Sequence, residues 1–491
     1  MSKKKLTNLL DEMNKPNKGK VFDETLKLMK DRGKFIYTPD NEAYFYDSKD
    51  KKIYPMQDKK FLIWLSIKFG FVTSERIIKY IVARLETHAF QYGKEIEFKK
   101  FAHYDSAACI LYINKFDGKI FRIDGEQMDI VDMGTDAIYF QDLDYYQPIE
   151  LEPSSGLVDE VLFGNINFSK RLLSKEEQTF IFKWWFYASF FKTIFPAKPI
   201  LVFYGVPDSG KTETVKRLPK FLFGSKGDVN SPPDSVRDLR VIADQSHILL
   251  LDDIEKKNRN IESELVRMAT GVRVDERKLY TNKGVSKLVP DAFVAITTKE
   301  PHFTREDLIQ RTFVLWLESK TDNISPVVLQ QRVLDNRSKL WSEVLLELLG
   351  IVKRLKSHKS WKPVKVKFRN AAWAEFVFKA THKKYHNTFK KLLGKINEDQ
   401  IMFLTESNPL AKALFLWLRE KGNLGQWIES GELRQKLKKI ARLKQLDQTI
   451  YKNNQKYGVE LKNVVSTFSR IYDVEIDRPR GRNEYCFRKK R

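Results

Sequence analysis

Gly205 and Gly210 stand five residues apart, with Lys211 and Thr212 directly after them, and the apolar run Leu201-Val202-Phe203-Tyr204 leads in. Glycines at that spacing let backbone N–H groups curl around a β-phosphate. A lysine in the next position reaches the β- and γ-phosphates, and a hydroxyl after it meets Mg²⁺. Val206, Pro207, Asp208 and Ser209 fill the rest of the loop. A helix expected from about Thr212 to Phe223 aims its N-terminal dipole at the same anion. The chemistry indicated is nucleotide binding through a P-loop, with ATP and Mg²⁺ as cofactors.

Some forty residues on, His247-Ile248-Leu249-Leu250-Leu251 reads as a strand covered on both faces, and it ends in Asp252, Asp253 and Glu255. The carboxyl end of such a strand is where an α/β sheet keeps its ligands. Asp252 is the expected Mg²⁺ carboxylate, Asp253 the group that polarises the attacking water, and Glu255 a reserve for that role. A third strand, Ala292 to Thr298, ends in hydroxyls, and Thr298 is the expected γ-phosphate sensor. Arg305 and Arg311 follow, six apart around Asp307-Leu308, and suit a short helix that offers a guanidinium to a neighbouring subunit's ATP. Solvated surface arginine is the plainer alternative. Between the acidic and threonine strands, alternation on both sides of Asn282-Lys283-Gly284 predicts a β-hairpin. It carries Lys278, Tyr280, Lys283 and Lys287, a set suited to DNA phosphates in a central channel.

In the order P-loop, Asp-Asp strand, Ala269-Thr270-Gly271, basic hairpin, Thr-Thr strand and Asp-Leu-x-x-Arg, the chain resembles the AAA+ core of superfamily 3-type replicative helicases. Within that group it is similar to the MCM-like Rep-type initiator helicases of phage-like mobile genetic islands. The resemblance covers about a quarter of the chain. It implies a DNA-unwinding ATPase, a homohexameric ring and ATP sites shared between subunits. The family commonly has asparagine at the sensor position, where this chain has Thr298. Three rival readings stay open: a helicase loader or remodeller without unwinding, an initiator that uses ATP as an assembly switch, and a protein-remodelling motor.

The 491 residues exceed one typical domain and predict three or four compact units in a multidomain α/β protein. Lys and Arg number 88 against 64 acids, a balance of +24, which points to a polyanionic partner, by default DNA, both single-stranded and as an origin duplex. Cys109 and Cys486 are the two cysteines, which favours a reducing, cytoplasmic setting over a disulfide framework. The most apolar stretch, Phe180 to Lys192, is short and lysine-interrupted, so it predicts a buried helix and no membrane role.

The expected organisation is an α+β domain over 1–150 for assembly or DNA docking, a helical collar over 151–198 and the AAA+ core over 199–320. A helical lid over 321–407 and a winged-helix domain over 408–491 complete it. The first domain predicts a helical block from Phe61 to Phe90 and strands at Ile96–Tyr104, Ala108–Asn114, Lys119–Ile123 and Ile138–Phe140. Its Asp142 and Asp144 read as a surface turn, since a two-metal primase site needs a second acidic motif. The lid predicts one long amphipathic helix, Val327–Leu355, with Arg332 and Arg337 as second-sensor candidates. His382 and His386 stand four apart, but no acid or cysteine completes a metal set. The tail reads helix, helix, helix, hairpin, with the third helix at Val459–Tyr472 and Arg478, Arg480 and Arg482 at the wing as DNA contacts.

Overall fold

The computed structural model describes residues 18–71, 76–141, 146–254, 258–271, 274–277, 285–288, 290–300, 303, 305–319, 324–358, 368–481 and 483–489, with backbone alone at 274–277, 285–288 and 480. They form a multidomain α/β protein of parallel and antiparallel sheets. Two compact units divide it. One comprises residues up to His103, Tyr112–Ile123 and Met128–Ile149; the other comprises Tyr104–Leu111, Asp124–Gln127 and everything from Glu150.

The first unit opens with helix α1 (Lys18–Lys30) and strands β1 (Gly33–Tyr37), β2 (Ala43–Asp47) and β3 (Lys52–Pro55). Helices α2 (Lys59–Phe69) and α3 (Arg76–Tyr92) precede the short β4 (Lys94–Glu95). The sheet order is β3-β2-β1-β4, antiparallel except for β1–β4. Val21, Phe22 and Met29 of α1 pack with Phe45, Trp64, Leu65 and Ile81 to form its core. Inside it, the buried Asp47 accepts from Arg32 Nε at 2.6 Å and Trp64 Nε1 at 3.1 Å, which satisfies a group that would otherwise be costly to bury.

A second sheet follows in chain order, β5 (Ala102–Asp105), β6 (Ile110–Asn114), β7 (Lys119–Ile123) and β8 (Met128–Asp132). The β8 strand was not expected. Ile138–Phe140 forms no strand and contributes only an isolated bridge from Phe140 to Lys99.

In the second unit, α4 (Leu157–Val161) and α5 (Lys175–Phe190) precede the central strand β9 (Ile200–Gly205). Ser174 opens α5 with a reciprocal cap to Glu177, and the aromatic run behind it is buried as a helix. The chain continues through α6 (Lys211–Phe223), α7 (Val236–Gln245), β10 (Ile248–Leu251) and α8 (Arg259–Thr270). Strands β11 (Val274–Arg277) and β12 (Val285–Leu288) pair antiparallel, Val274 opposite Leu288. Then come β13 (Phe293–Thr298), α9 (Glu306–Ile309) and β14 (Thr312–Leu317).

The parallel sheet runs β10-β13-β9-β14. All residues of β10, β13 and β14 are buried, as expected of strands covered on both faces. Val202, Leu251, Ile296 and Trp316 face one core with α7 and α8, and the alternate residues face α5 and α6, where Phe203 meets Phe182 and Phe293 meets Trp185.

Beyond the sheet lie α10 (Pro326–Asp335), α11 (Arg337–Ser357), α12 (Ala371–Ala380), α13 (His386–Ser407) and α14 (Pro409–Arg419). The single lid helix expected over 327–355 is therefore two, parted at Asn336. The C-terminal residues form β15 (Trp427–Glu429), α15 (Ser430–Leu443), α16 (Asn454–Phe468), β16 (Tyr472–Asp477) and β17 (Glu484–Lys489), with sheet order β15-β17-β16. The third tail helix thus begins and ends earlier than expected, since Tyr472 opens a strand. One continuous core links the parallel sheet through α13 and α14 to Phe468, Tyr485 and Phe487. Among the described residues, no helix is long and apolar enough to cross a membrane.

Candidate active site

The site is built where β9 gives way to α6. Gly205 is the last residue of β9, and a Cβ there would stand 2.4 Å from the carbonyl oxygen of Leu317 on β14. Only glycine lets the two strands close at this point. Asp208 (φ 60°) and Gly210 (φ 77°) take the left-handed conformation that turns the loop into the helix. Lys211 begins α6 and is only 7% exposed. Its ammonium donates to Gly205 O at 2.7 Å, Val206 O at 2.8 Å and Ser209 Oγ at 3.3 Å. Burial lowers its pKa, against the opposing pull of Asp253, Asp252 and Asp208. Val206, Pro207 and Asp208 form the exposed rim, and Ser209 is buried beneath it.

Thr212, one residue on, donates its hydroxyl to Asp252 Oδ1 at 2.8 Å. Asp252 is held from two other directions, and the first of these partners is itself anchored. Its N–H donates to Asn230 O at 2.9 Å, Asn230 N–H donates to Leu250 O at 2.7 Å, and Thr297 Oγ1 donates to Asp252 Oδ1 at 2.6 Å. The same Thr297 hydroxyl accepts from Asp253 N–H at 2.7 Å. Asp253 has φ 58°, an uncommon conformation for a non-glycine residue and one that costs about 1–3 kcal/mol unless its surroundings impose it. Its carboxylate pairs with Lys299 Nζ at 3.3 Å.

Two residues emerge here that the sequence does not single out. Thr297 bridges the two aspartates, whereas the Thr298 hydroxyl lies 3.0 Å from Ile254 O and 2.6 Å from Glu300 O. Strand alternation decides this: adjacent residues of β13 face opposite sides, so one threonine can face the loop and the other cannot. Lys299 is the second. A lysine followed by Glu300 reads as ordinary surface until the end of β13 is placed beside Asp253.

The arginines divide. Arg305, about a third exposed, holds Asp307 through Nε at 2.9 Å and Nη2 at 2.7 Å, touches Ser263, and its N–H donates to Glu262 at 2.9 Å. Arg311 is 6% exposed and turns its guanidinium to the carbonyl of Asp307 in its own chain; burial lowers its pKa. It does not present an exposed guanidinium, because the residue closes the turn into β14 and its carbonyl accepts from Ile200 N–H.

Arg337 is also buried, with Nε on Phe221 O at 2.8 Å and Nη2 on Leu222 O at 3.1 Å. It thus caps the last carbonyls of α6, roughly 15–20 Å along the helix from the loop at 1.5 Å per residue. That position does not suit a second sensor. Arg332 pairs with Glu160. Arg478 is exposed and donates to Asn483 Oδ1 at 2.8 Å. Among the described residues no group of three or more His, Cys, Asp and Glu is arranged to hold a metal.

Glu255, Asp142, Asp144, Lys278, Tyr280, Lys283 and Arg482 lie outside the described residues. Lys287 lies on β12 opposite Asp275, and of it and Arg480 only the backbone is described.

Chemically, the arrangement joins a buried ammonium, a helix N-terminus and a hydroxyl–carboxylate pair at the carboxyl ends of a parallel sheet. One hydroxyl and one carboxylate suit Mg²⁺, which takes the rest of its shell from phosphate oxygens and water.

No protein-family model matches the chain, and no curated protein sequence matches it. Among solved structures, the NrS-1 C-terminal region is similar with a TM-score of 0.42 at 11% identity, over 95% of this chain and 98% of that one. The JCV helicase gives a TM-score of 0.24 at 16% identity, over 45% of this chain and 61% of its own. Both likenesses are too distant to define a family.

Proposed function

We propose that this chain is an ATP-driven DNA helicase and replication initiator, with an AAA+ P-loop core and a C-terminal winged-helix domain, that works as a homo-oligomeric ring, a hexamer. The observation that carries the reading is the Thr212–Asp252–Thr297 cluster set beside Lys211 at the carboxyl ends of β9, β10 and β13. In it, Lys211 exchanges the loop carbonyls for the β- and γ-phosphates. Thr212 and Asp252 would hold Mg²⁺, which neutralises charge on those phosphates when bound. Asp253 polarises the attacking water, and Lys299 holds that carboxylate in place. Arg305, the more exposed of the two arginines, reaches the neighbouring subunit's ATP. The +24 balance supplies the attraction for DNA.

The test is ATP turnover and nucleotide binding by the purified chain. Lys211→Ala should bind ATP hardly at all. Asp253→Ala should bind it and hydrolyse it about 10²-fold or more slowly. Wild-type turnover in Lys211→Ala would end the reading.

A further inference from the structure

We infer that the outer face of α15 is a docking surface for the phosphate backbone of duplex DNA, separate from the residues of the expected wing. The inference rests on the proposed DNA-directed function and names a surface for it.

Helix α15 has two opposed faces. Leu433, Leu437, Ile440 and Ala441 are buried in the common core. Gln435, Lys438, Lys439 and Arg442 recur at i, i+3, i+4 and i+7, diametrically across from that stripe, and all are exposed. Lys436 on the flank is paired with Glu432 at 2.8 Å. Lys438, Lys439 and Arg442 form no ion pair among the described residues, and the exposed Lys444 extends the line past the helix end. Three unpaired cations within about two turns make a field that a nearby polyanion neutralises by releasing its own counterions.

The two other surfaces of the C-terminal segment are less suited. Strand β16 carries Asp473, Glu475 and Asp477, Glu475 is paired with Arg488, and the Asp477 carboxylate accepts from Arg478 N–H at 2.7 Å. Acids on the arm of the hairpin oppose its basic tip. Helix α16 turns Val459, Glu460, Asn463 and Ser466 into a cavity of about 920 Å³ shared with Arg259 and Arg305. Its Glu460 accepts from Asn408 Nδ2 at 2.6 Å. That face carries the acid Glu460, whereas the outer face of α15 carries no acid.

The experiment is a fluorescence-anisotropy titration of a labelled short duplex with the full chain, wild type against Lys438→Ala/Lys439→Ala/Arg442→Ala, between about 50 and 200 mM salt. All three side chains are exposed, so the fold is expected to survive; unchanged basal ATP turnover checks this. The triple variant should lower the magnitude of the slope of log affinity against log salt by about 3, close to one for each phosphate no longer neutralised. Its affinity near physiological salt should fall about tenfold or more. Arg478→Ala should change the slope by about 1 at most.

An unchanged slope and affinity in the triple variant, with DNA still stimulating wild-type turnover, would overturn the α15 assignment and leave the proposed function standing. A wild-type chain that binds no duplex would overturn both.

Discussion

Thr297→Val removes one hydroxyl and keeps the side chain's shape. In the structure that hydroxyl makes two hydrogen bonds, accepting from Asp253 N–H at 2.7 Å and donating to Asp252 Oδ1 at 2.6 Å. Thr297 is buried, so water does not readily replace it. Leaving that part-buried N–H unmet costs at most about 1–3 kcal/mol, which the substitution should show as lower stability. The catalytic consequence is separate. Asp252 keeps Thr212 but loses the group that fixes its carboxylate from the β13 side, and Asp253 loses the bond that steadies its left-handed backbone. Partners that orient a metal-ligating carboxylate are typically worth 10–100-fold. We therefore expect kcat for ATP to fall by about that factor. KM should shift by less than about threefold, because Lys211 and the loop are untouched. Thr298→Val is the control: its hydroxyl serves backbone carbonyls, and turnover should fall by less than about threefold. The assay is steady-state ATP hydrolysis across ATP concentrations, with thermal unfolding in parallel. Normal kcat in Thr297→Val, or a larger drop in Thr298→Val, would refute the reasoning.

Other outcomes follow from buried charge. Asp399 is fully buried, accepts from Trp316 Nε1 at 2.8 and 3.0 Å through its two oxygens, and burial raises its pKa to about 7. An unfolded aspartate ionises near 3.9, so between about pH 4 and pH 7 the unfolded chain releases this proton first and wild-type stability falls as pH rises. Asp399→Asn should therefore gain on wild type by up to about 4 kcal/mol between pH 4 and pH 8, read by denaturant unfolding; a pH-independent gap would contradict this. Arg337→Ala should lower stability by about 1–3 kcal/mol, through the unmet Leu222 carbonyl at the end of α6, since Phe221 O keeps its bond from Trp341 Nε1 at 3.2 Å, with KM for ATP unchanged. A raised KM with intact stability would restore its second-sensor role. Arg305→Ala and Lys211→Ala subunits should each be inactive and should recover turnover when mixed, since a ring then contains interfaces with both groups intact; confirmed mixing without recovery would count against Arg305 as the group acting in trans.

The loop and the acidic strand were legible because their signals are local. Glycine spacing, a following lysine and a fully apolar run need no knowledge of distant residues, and α6 and β10 lie close to where the pattern puts them. Which hydroxyl serves the site was not legible. Thr297 and Thr298 are chemically identical neighbours, and only the register of β13 between β10 and β9 chooses between them. Nothing local in the sequence marks Arg311, a finger candidate, or Arg337, a second-sensor candidate, as buried; their burial comes from contacts with Asp307 and with Phe221 and Leu222. The strand β14 was missed although five of its six residues are apolar, and with it the close approach that forbids a side chain at Gly205. Asn230, which completes the support of Asp252, has no local signature at all.

In the proposed function, nucleotide chemistry at Lys211 drives DNA strand separation. Strand displacement on a forked duplex tests it most directly, with wild-type chain and ATP, with a non-hydrolysable analogue, and with Lys211→Ala. Displacement is expected only from wild type with ATP, accompanied by turnover that single-stranded DNA stimulates. Vigorous DNA-stimulated turnover with no displacement on any fork would contradict it and would favour a loading or remodelling ATPase.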